Sequence, residues 1–283
     1  MPTFDTPEPI TVMIEVPLGD VHLIAAERSD TVVVVNPSDR SRSLDVEAAE
    51  KTQVDFSGGR LLVKTPKPRG LGNYIGVGRP GSVDITIELP EGSPIAAETG
   101  FADLRVDGRI GDTRIESGAG DIRLDETGQS HLATGAGSVT VNRTTGRTEI
   151  TGAGEMRIGE IDGEAEIKNM NGKTWVGEVT GGVRVKSANG DITIDRAQAE
   201  VAVKTANGSI RIGEVVRGSI VLETGSGGLD VGIGTGTVAF VDARTRFGRV
   251  HNALESVDGP ETSQETVEIH ARTSFGDIVI HRS

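Results

Sequence analysis

The stretch that decides the fold is an eight-residue motif that recurs through the middle of the chain. Its copies are Ser117-Gly-Ala-Gly-Asp-Ile-Arg-Leu, Thr134-Gly-Ala-Gly-Ser-Val-Thr-Val, Thr151-Gly-Ala-Gly-Glu-Met-Arg-Ile, Asn169-Met-Asn-Gly-Lys-Thr-Trp-Val, Ser187-Ala-Asn-Gly-Asp-Ile-Thr-Ile and Thr205-Ala-Asn-Gly-Ser-Ile-Arg-Ile. The glycine before each apolar pair recurs every 17 or 18 residues. That period is too short for a strand with a covering helix, and it is typical of one turn of a repeat fold. The sequence therefore predicts an all-β fold, a single-stranded parallel β-helix or β-solenoid with coils of 17–18 residues.

Each coil is predicted to contain two short strands. After the glycine, alternation places Ile122 and Leu124 inward while Asp121 and Arg123 face water. A second alternating segment, such as Val183-Arg-Val-Lys, lies between successive glycines. One coil buries too few apolar side chains to offset the entropy of ordering it, so the coils have to stack.

One corner of the stack is expected to carry a continuous row of small and amide side chains. Asn-Gly pairs suit such corners because glycine accepts positive φ at little cost. Amides at equivalent positions of stacked coils would hydrogen-bond to one another along the row. The residues of this row are Ala119, Ala136, Ala153, Asn171, Asn189 and Asn207.

The two ends of the chain are less regular, and the whole is expected to form one continuous domain. Residues 1–92 are predicted to be an irregular β cap with a loop at 65–81, and residues 93–283 the regular coils with a loop insertion near 252–265. Capping of this kind protects edge strands. The segment Ser274-Phe-Gly-Asp-Ile-Val-Ile-His is expected to close the stack with an uncapped edge.

Composition excludes several classes of function. The formal net charge of −13 argues against nucleic acid and anionic lipid, because both are bound through Lys and Arg. The chain has no cysteine, which excludes disulfides, thiolate metal sites and cysteine nucleophiles. With neither a secretory signal nor an apolar segment long enough for a membrane helix, it is expected to be cytoplasmic.

No motif indicates an active site, so the sequence predicts no catalytic residue, no cofactor and no metal. The glycine-rich stretch 70–78 lacks the Gly-Lys-Ser/Thr ending of a phosphate loop. Positions equivalent to Asp121 are Ser138, Glu155, Lys173 and Ser209, so no carboxylate row for calcium is expected. The 42 acidic residues single out no carboxylate pair of the kind that cleaves glycosidic bonds.

Two groups of residues are candidate partner contacts. Lys64, Lys67, Arg69 and Arg79 form the main basic patch, at the 65–81 loop. The candidate contacts here are Lys67, Arg69, Tyr74 and Arg79. Trp175, the single tryptophan, is predicted to face solvent, in one row with Arg157 and Arg211. Because coils stack about 4.8 Å apart, either arginine could lie over or near the indole. The plainer interpretation is a surface aromatic shielded by its neighbours.

The chain resembles a bacterial "putative adhesin" β-solenoid family of unknown function that recurs in actinobacteria. The resemblance covers essentially the whole chain and rests on Val16-Pro-Leu-Gly-Asp-Val-His-Leu, Arg60-Leu-Leu-Val-Lys, Val83-Asp-Ile-Thr-Ile-Glu-Leu-Pro-Glu-Gly-Ser and the repeated coils. It implies the solenoid fold and carries over no catalytic residues. Relatives in firmicutes are associated with cell-envelope stress responses.

The sequence therefore favours a non-catalytic scaffold or adhesin-like protein, envelope-related in its family, that presents an extended β face to a protein or glycan partner. Two alternatives stay open: a structural protein that self-associates through the ends of the solenoid, and a polysaccharide-acting β-helix enzyme. Neither nucleic-acid binding nor membrane insertion is expected.

Overall fold

The computed structural model describes residues 2–67, 80–254 and 265–283, which consist almost entirely of strands. A single helix, α1 (Ser43–Lys51), occurs in these ranges. The strands are β1 (Thr3–Asp5), β2 (Thr11–Ala26), β3 (Asp30–Pro37), β4 (Gln53–Ser57), β5 (Arg60–Lys64), β6 (Val83–Pro90), β7 (Ile95–Arg109), β8 (Thr113–Ala119), β9 (Ile122–Thr127), β10 (Ser130–Thr134), β11 (Val139–Thr145), β12 (Thr148–Gly152), β13 (Met156–Asp162), β14 (Ala165–Asn171), β15 (Thr174–Val179), β16 (Val183–Asn189), β17 (Ile192–Ala197), β18 (Val201–Asn207), β19 (Ile210–Val215), β20 (Gly218–Ser226), β21 (Leu229–Ile233), β22 (Val238–Phe247), β23 (Val250–Asn252), β24 (Thr266–Phe275) and β25 (Ile278–Arg282).

The chain divides into two compact units, Met1–Val141 and Asn142–Ser283. In both units the dominant pairing is parallel, between strands of successive coils. The predicted all-β solenoid is confirmed. The domain boundary near residue 92 stays a prediction.

In the N-terminal unit, the long strand β2 lies between two parallel neighbours. Val12 is in register with Leu61 of β5 on one side and with Ile95 of β7 on the other. The second half of β2 also pairs with β6, aligning Val21 with Ile85. The coil that follows β2 in space therefore comes from β5 and β6, which occur later in the sequence.

The chain covers the outer edge of β5 and β6 with its own antiparallel strands. Strand β4 pairs with β5, β3 pairs with β6, and β1 pairs with β3. Helix α1 packs beside β3, and its buried Asp45 accepts the backbone N–H of Ser82 at 3.1 Å. These antiparallel strands cover one edge of the stacked coils. The bounds of the cap, residues 1–92, stay a prediction, and the helix was not predicted.

In the C-terminal unit, each coil contributes two strands whose apolar side chains alternate inward. Strands β12, β14, β16, β18 and β20 form one ladder, and β13, β15, β17, β19 and β21 form the other. In one coil, Val183, Val185, Ile192 and Ile194 are each at most 4% exposed. Burying four such side chains contributes on the order of 6–12 kcal/mol, and most of that is offset by the entropy of ordering the coil.

Close contact at the corners explains the glycine of the repeated motif. Gly208 has φ +144°, and a Cβ there would lie 2.1 Å from the carbonyl oxygen of Gly190. A motif hydroxyl stabilises the same corner, because the Thr224 Oγ1 donates to the carbonyl of Gly208 at 2.9 Å. The predicted amide ladder is also present: Asn207 donates to Asn189 at 3.0 Å, and Asn189 donates to Asn171 at 3.0 Å.

The order of the last coils differs from the order of the sequence. Strand β24 pairs with β20 on one side and β22 on the other, and β25 lies in the same way between β21 and β23. The C-terminal segment is therefore an internal coil, and the expectation that residues 274–281 close the stack is wrong. The edge coil of this unit is formed by residues 238–252 (β22 and β23), called the terminal coil below.

Candidate functional site

The outward side chains of the C-terminal unit stand in straight rows, because the parallel strands are in register. On the β13–β15–β17–β19 face, one row runs from Arg157 through Trp175 and Thr193 to Arg211. Thr174 and Val176, on either side of the tryptophan, are at most 1% exposed. The predicted outward orientation of Trp175 is confirmed.

Contacts from two neighbouring coils fix the indole of Trp175 on this face. The guanidinium carbon of Arg157 lies 4.2 Å from the ring centroid, a cation–π contact of roughly 0.5–1 kcal/mol at an exposed site. On the other side, Nε1 of the indole donates to the carboxylate of Asp195 at 3.2 Å. The ring also lies over Gly177, where a Cβ would be 3.2 Å from its Cη2 atom. The tryptophan is therefore half-buried and held in a defined orientation.

Arg157 and Arg211 differ in their relation to the indole. Arg211 is two coils from Trp175, beyond Thr193, and its guanidinium faces Asp230 at 3.7 Å. Of the two arginines in the predicted row, Arg157 is the one over the ring. Asp195 was missed by the sequence analysis, although its position two residues after Thr193 in the adjacent coil placed it near the indole nitrogen.

The opposite ladder carries a row of lysines that glutamates partly neutralise. Lys168, Lys186 and Lys204 are register partners in successive strands. Glu166 contacts Lys168 at 3.3 Å and Lys186 at 3.5 Å. The hydrogen bond from Lys168 lowers the pKa of Glu166, and the same bond raises the pKa of Lys168. Both groups are ionised near neutral pH, so this face presents paired charges of both signs.

A shallow groove of about 270 Å³ lies beside this lysine row, at the start of the strands. Its charged lining carries both signs, with Arg147 and Arg184 beside Glu164, Glu166 and Glu200. The groove is open and polar, unlike the mostly apolar pockets that enclose small molecules.

The N-terminal unit contains a carboxylate row that the sequence analysis did not expect. Asp20 is in register with both Asp84 and Asp103, and the Asp103 carboxylate accepts the N–H of Asp121 at 2.8 Å. Burial, followed by the like charges of Asp84 and Asp103, raises the pKa of Asp20. Asp121 accepts the N–H of Ser138 at 2.9 Å, which lowers the pKa of Asp121. These carboxylates bond the backbone of the next coil, and no group of metal-binding side chains occurs within the described ranges.

The predicted basic patch falls largely outside the part of the chain that the structure describes. Lys67 is described and exposed. Arg69, Tyr74 and Arg79 lie outside the described residues, as do most of the two predicted loops at 65–81 and 252–265. Among the described residues, no helix is long and apolar enough to span a bilayer.

Comparison with solved structures finds matches at low sequence identity. A putative adhesin from Parabacteroides merdae is 14% identical over 81% of this chain and 94% of its own, with a TM-score of 0.50. A putative adhesin from Bacteroides fragilis is 13% identical over 100% of this chain and 95% of its own, with a TM-score of 0.35. A putative lipid binding protein from Parabacteroides distasonis is 12% identical over 100% of this chain and 95% of its own, with a TM-score of 0.33. At 14% identity, the likeness to the Parabacteroides merdae protein concerns the fold alone.

No curated protein matches the chain. A family model does, and it spans residues 12–282, from the start of β2 to the end of β25. The match includes both units, the stacked coils and the tryptophan face. The chain therefore belongs to the Toastrack DUF4097 family.

Proposed function

We propose that the protein is a non-catalytic, adhesin-like scaffold that binds a protein or glycan partner through the β13–β15–β17–β19 face. The observation that carries the proposal is the fixed orientation of Trp175, held by Arg157 above its ring and by Asp195 at its nitrogen. A solvent-facing aromatic that is already ordered loses little side-chain entropy when a partner covers it. Tryptophan and arginine are also the residue types most enriched among energetically dominant interface contacts.

The chemistry of the faces favours binding over turnover. Catalytic sites combine a concave pocket with titratable groups whose pKa values are strongly perturbed. Here the groove beside the lysine row is shallow, and Glu166 in its lining is paired with Lys168 and Lys186. The polysaccharide-acting alternative is less favoured, because no described carboxylate pair faces a deep groove.

The remaining features of the proposal follow from composition. The net charge of −13 favours a partner other than nucleic acid or an anionic bilayer. A cytoplasmic location, an actinobacterial source and an envelope-related role stay predictions from the sequence. Lys67 and the rest of the basic patch remain proposed as a secondary partner contact.

Affinity capture from native cell lysate tests the proposal when it compares face variants. Wild-type protein is compared with Trp175→Ala and with Lys186→Ala, a matched truncation on the opposite ladder. We expect a stoichiometric partner that cross-links near Lys173 and is recovered about tenfold less with Trp175→Ala, whereas Lys186→Ala is unchanged. Equal recovery with all three proteins would contradict the proposal, and so would a turnover activity that requires one particular Asp or Glu.

Self-association is the second candidate function, and the exposed terminal coil favours it. Polymerisation through both ends of the solenoid is less favoured, because the chain covers β5 and β6 with its own antiparallel strands.

A further inference from the structure

The terminal coil combines two unpaired strand edges with an exposed apolar interior. No strand in the described part of the chain pairs with the outer edge of β22 or β23. Val238 donates to Glu265 at 2.9 Å, so by alternation the N–H and C=O groups of Ala239, Val241 and Ala243 point away from β24. Unpaired edges of this kind are the usual template for pairing with another chain.

The apolar interior is open at the same place. Val250 is 45% exposed, whereas its register partner Ile278 is 0% exposed. Of the eight large apolar side chains that are exposed in the described residues, four belong to the terminal coil and its neighbour: Phe240, Phe247, Val250 and Phe275. A concentration of exposed apolar side chains of this kind marks an interaction surface.

The charges on β22 fit a second copy of the same strand. Two copies of β22 related by a two-fold axis pair antiparallel. The hydrogen bonds between them must come from residues whose N–H and C=O groups point away from β24 in both copies. With Ala243 on the axis, Val241 pairs with Thr245 of the second copy, and Asp242 lies opposite Arg244 of the second copy, twice by symmetry. Moving the axis by one residue to either side places Asp242 opposite Asp242, or Arg244 opposite Arg244.

We propose that the terminal coil is the interface of a closed, tail-to-tail dimer in which β22 of one chain pairs antiparallel with β22 of a second copy about Ala243. The dimer continues the sheet across the two-fold axis and covers Val250 and the open interior. A two-fold interface uses the same surface on both chains and closes after two. The inference deepens the second candidate function and is independent of partner binding at Trp175.

Sedimentation velocity over a concentration series tests the proposal with the full chain. Asp242 lies in a half-buried position and contacts Arg244 at 2.9 Å, His270 at 3.8 Å and Arg272 at 3.9 Å within its own chain. Far-ultraviolet circular dichroism therefore checks that each single charge reversal keeps the fold. In Asp242→Arg, two arginines face each other across the axis, and in Arg244→Asp two aspartates do. We expect each variant to dimerise at least about tenfold more weakly than wild type, because like charges directly opposite are destabilising.

A mixture of the two single variants isolates the contact between chains. In a heterodimer every opposed pair is again of opposite sign, although the pair within each chain stays broken. We expect the mixture to recover dimer at wild-type concentration. Glu223→Lys, which reverses a charge next to Lys204 on another strand, serves as the control and is expected to dimerise normally.

Three outcomes would overturn the inference. They are a wild-type monomer at every concentration, a dimer that neither single variant weakens, and oligomers that keep growing as the concentration rises. A dimer lost in the single variants and not recovered in their mixture would overturn the proposed register. None of these results depends on whether Trp175 binds a partner.

Discussion

Substitution of Gly208 by alanine is expected to destabilise the C-terminal unit strongly. Gly208 has φ +144°, and a Cβ there would lie 2.1 Å from the carbonyl oxygen of Gly190 and 2.6 Å from its carbonyl carbon. The positive φ costs roughly 1–2 kcal/mol for a residue with a Cβ. Relieving the contact requires the coils to separate, and overpacking of this kind costs about 1–3 kcal/mol. The free energy of unfolding should therefore fall by about 2–5 kcal/mol.

Gly182→Ala is the matched control in the same unit. A Cβ at Gly182 would meet no atom within 4 Å, and its φ is not in the left-handed region. Because alanine reduces the entropy of the unfolded chain, this substitution is expected to be neutral or stabilising by up to about 1 kcal/mol.

Urea denaturation followed by far-ultraviolet circular dichroism measures both variants. We expect a clearly lower urea midpoint for Gly208→Ala and an unchanged or higher one for Gly182→Ala. If the two variants unfold at the same urea concentration, the close stacking of corner glycines is wrong. If a variant lowers the dependence of the unfolding free energy on urea concentration and leaves the midpoint unchanged, the unit no longer unfolds as a single cooperative unit.

Four further predictions concern the carboxylates of Asp20 and Asp121, the amide ladder and the indole. Because the pKa of Asp20 is raised in the folded state, ionisation of this carboxyl destabilises the fold at pH values above the ordinary pKa of 3.8. Asp20→Asn should therefore raise the urea midpoint at neutral pH and lose that advantage below pH 3.8. The lowered pKa of Asp121 has the opposite effect. The ionised carboxylate stabilises the folded state above pH 3.8, and this stabilisation is lost as the pH falls through the folded-state pKa. Asp121→Asn should therefore lower the urea midpoint at neutral pH and match wild type in strong acid. Asn189→Ala removes two amide hydrogen bonds and is expected to cost about 1–2 kcal/mol in the same titration; no change would argue against the ladder. Arg157→Ala uncovers the ring of Trp175 and should shift the emission of this single tryptophan to longer wavelength, whereas an unshifted spectrum would contradict the stacked geometry.

The coil and its corners could be predicted because they follow from short-range sequence patterns. The 17–18-residue period fixes which residues become register partners in adjacent coils, so the rows through Trp175 and Asn189 could be predicted without a structure. The contact between Asp195 and the indole depends on a side-chain rotamer across two strands, which the period alone does not give.

The order of the coils at both ends could not be predicted from the period. Strands β22 and β24 carry similar motifs, Thr245-Arg-Phe-Gly and Thr273-Ser-Phe-Gly, so either fits next to β20. One signal did separate them. Asn252 occupies the inward position that is in register with Ile280, and a polar residue there is tolerated at the end of a stack but costs free energy inside it.

The N-terminal unit shows the same difficulty. Strand β2 reads as two strands in the sequence, interrupted by Pro17, but it is continuous from Thr11 to Ala26. Its neighbours β5 and β6 occur later in the chain. Such non-local pairing depends on which edges remain available during folding, and a local pattern carries no information about that.

The stacking order of the C-terminal coils determines both the outward rows and the bare edge of the terminal coil, and engineered cysteine pairs test it most directly. The chain has no cysteine of its own, so any disulfide reports the designed pair. Asp230 is in register with Val279 of the adjacent strand, whereas His251 lies one strand further away. Adjacent strands are about 4.8 Å apart, within the range of a disulfide, and a separation of two strands is not. We expect that Asp230→Cys with Val279→Cys cross-links on oxidation and that Asp230→Cys with His251→Cys does not. Cross-linking of the second pair and not the first would mean that the coils stack in sequence order, with β23 beside β21, and would contradict the observed order.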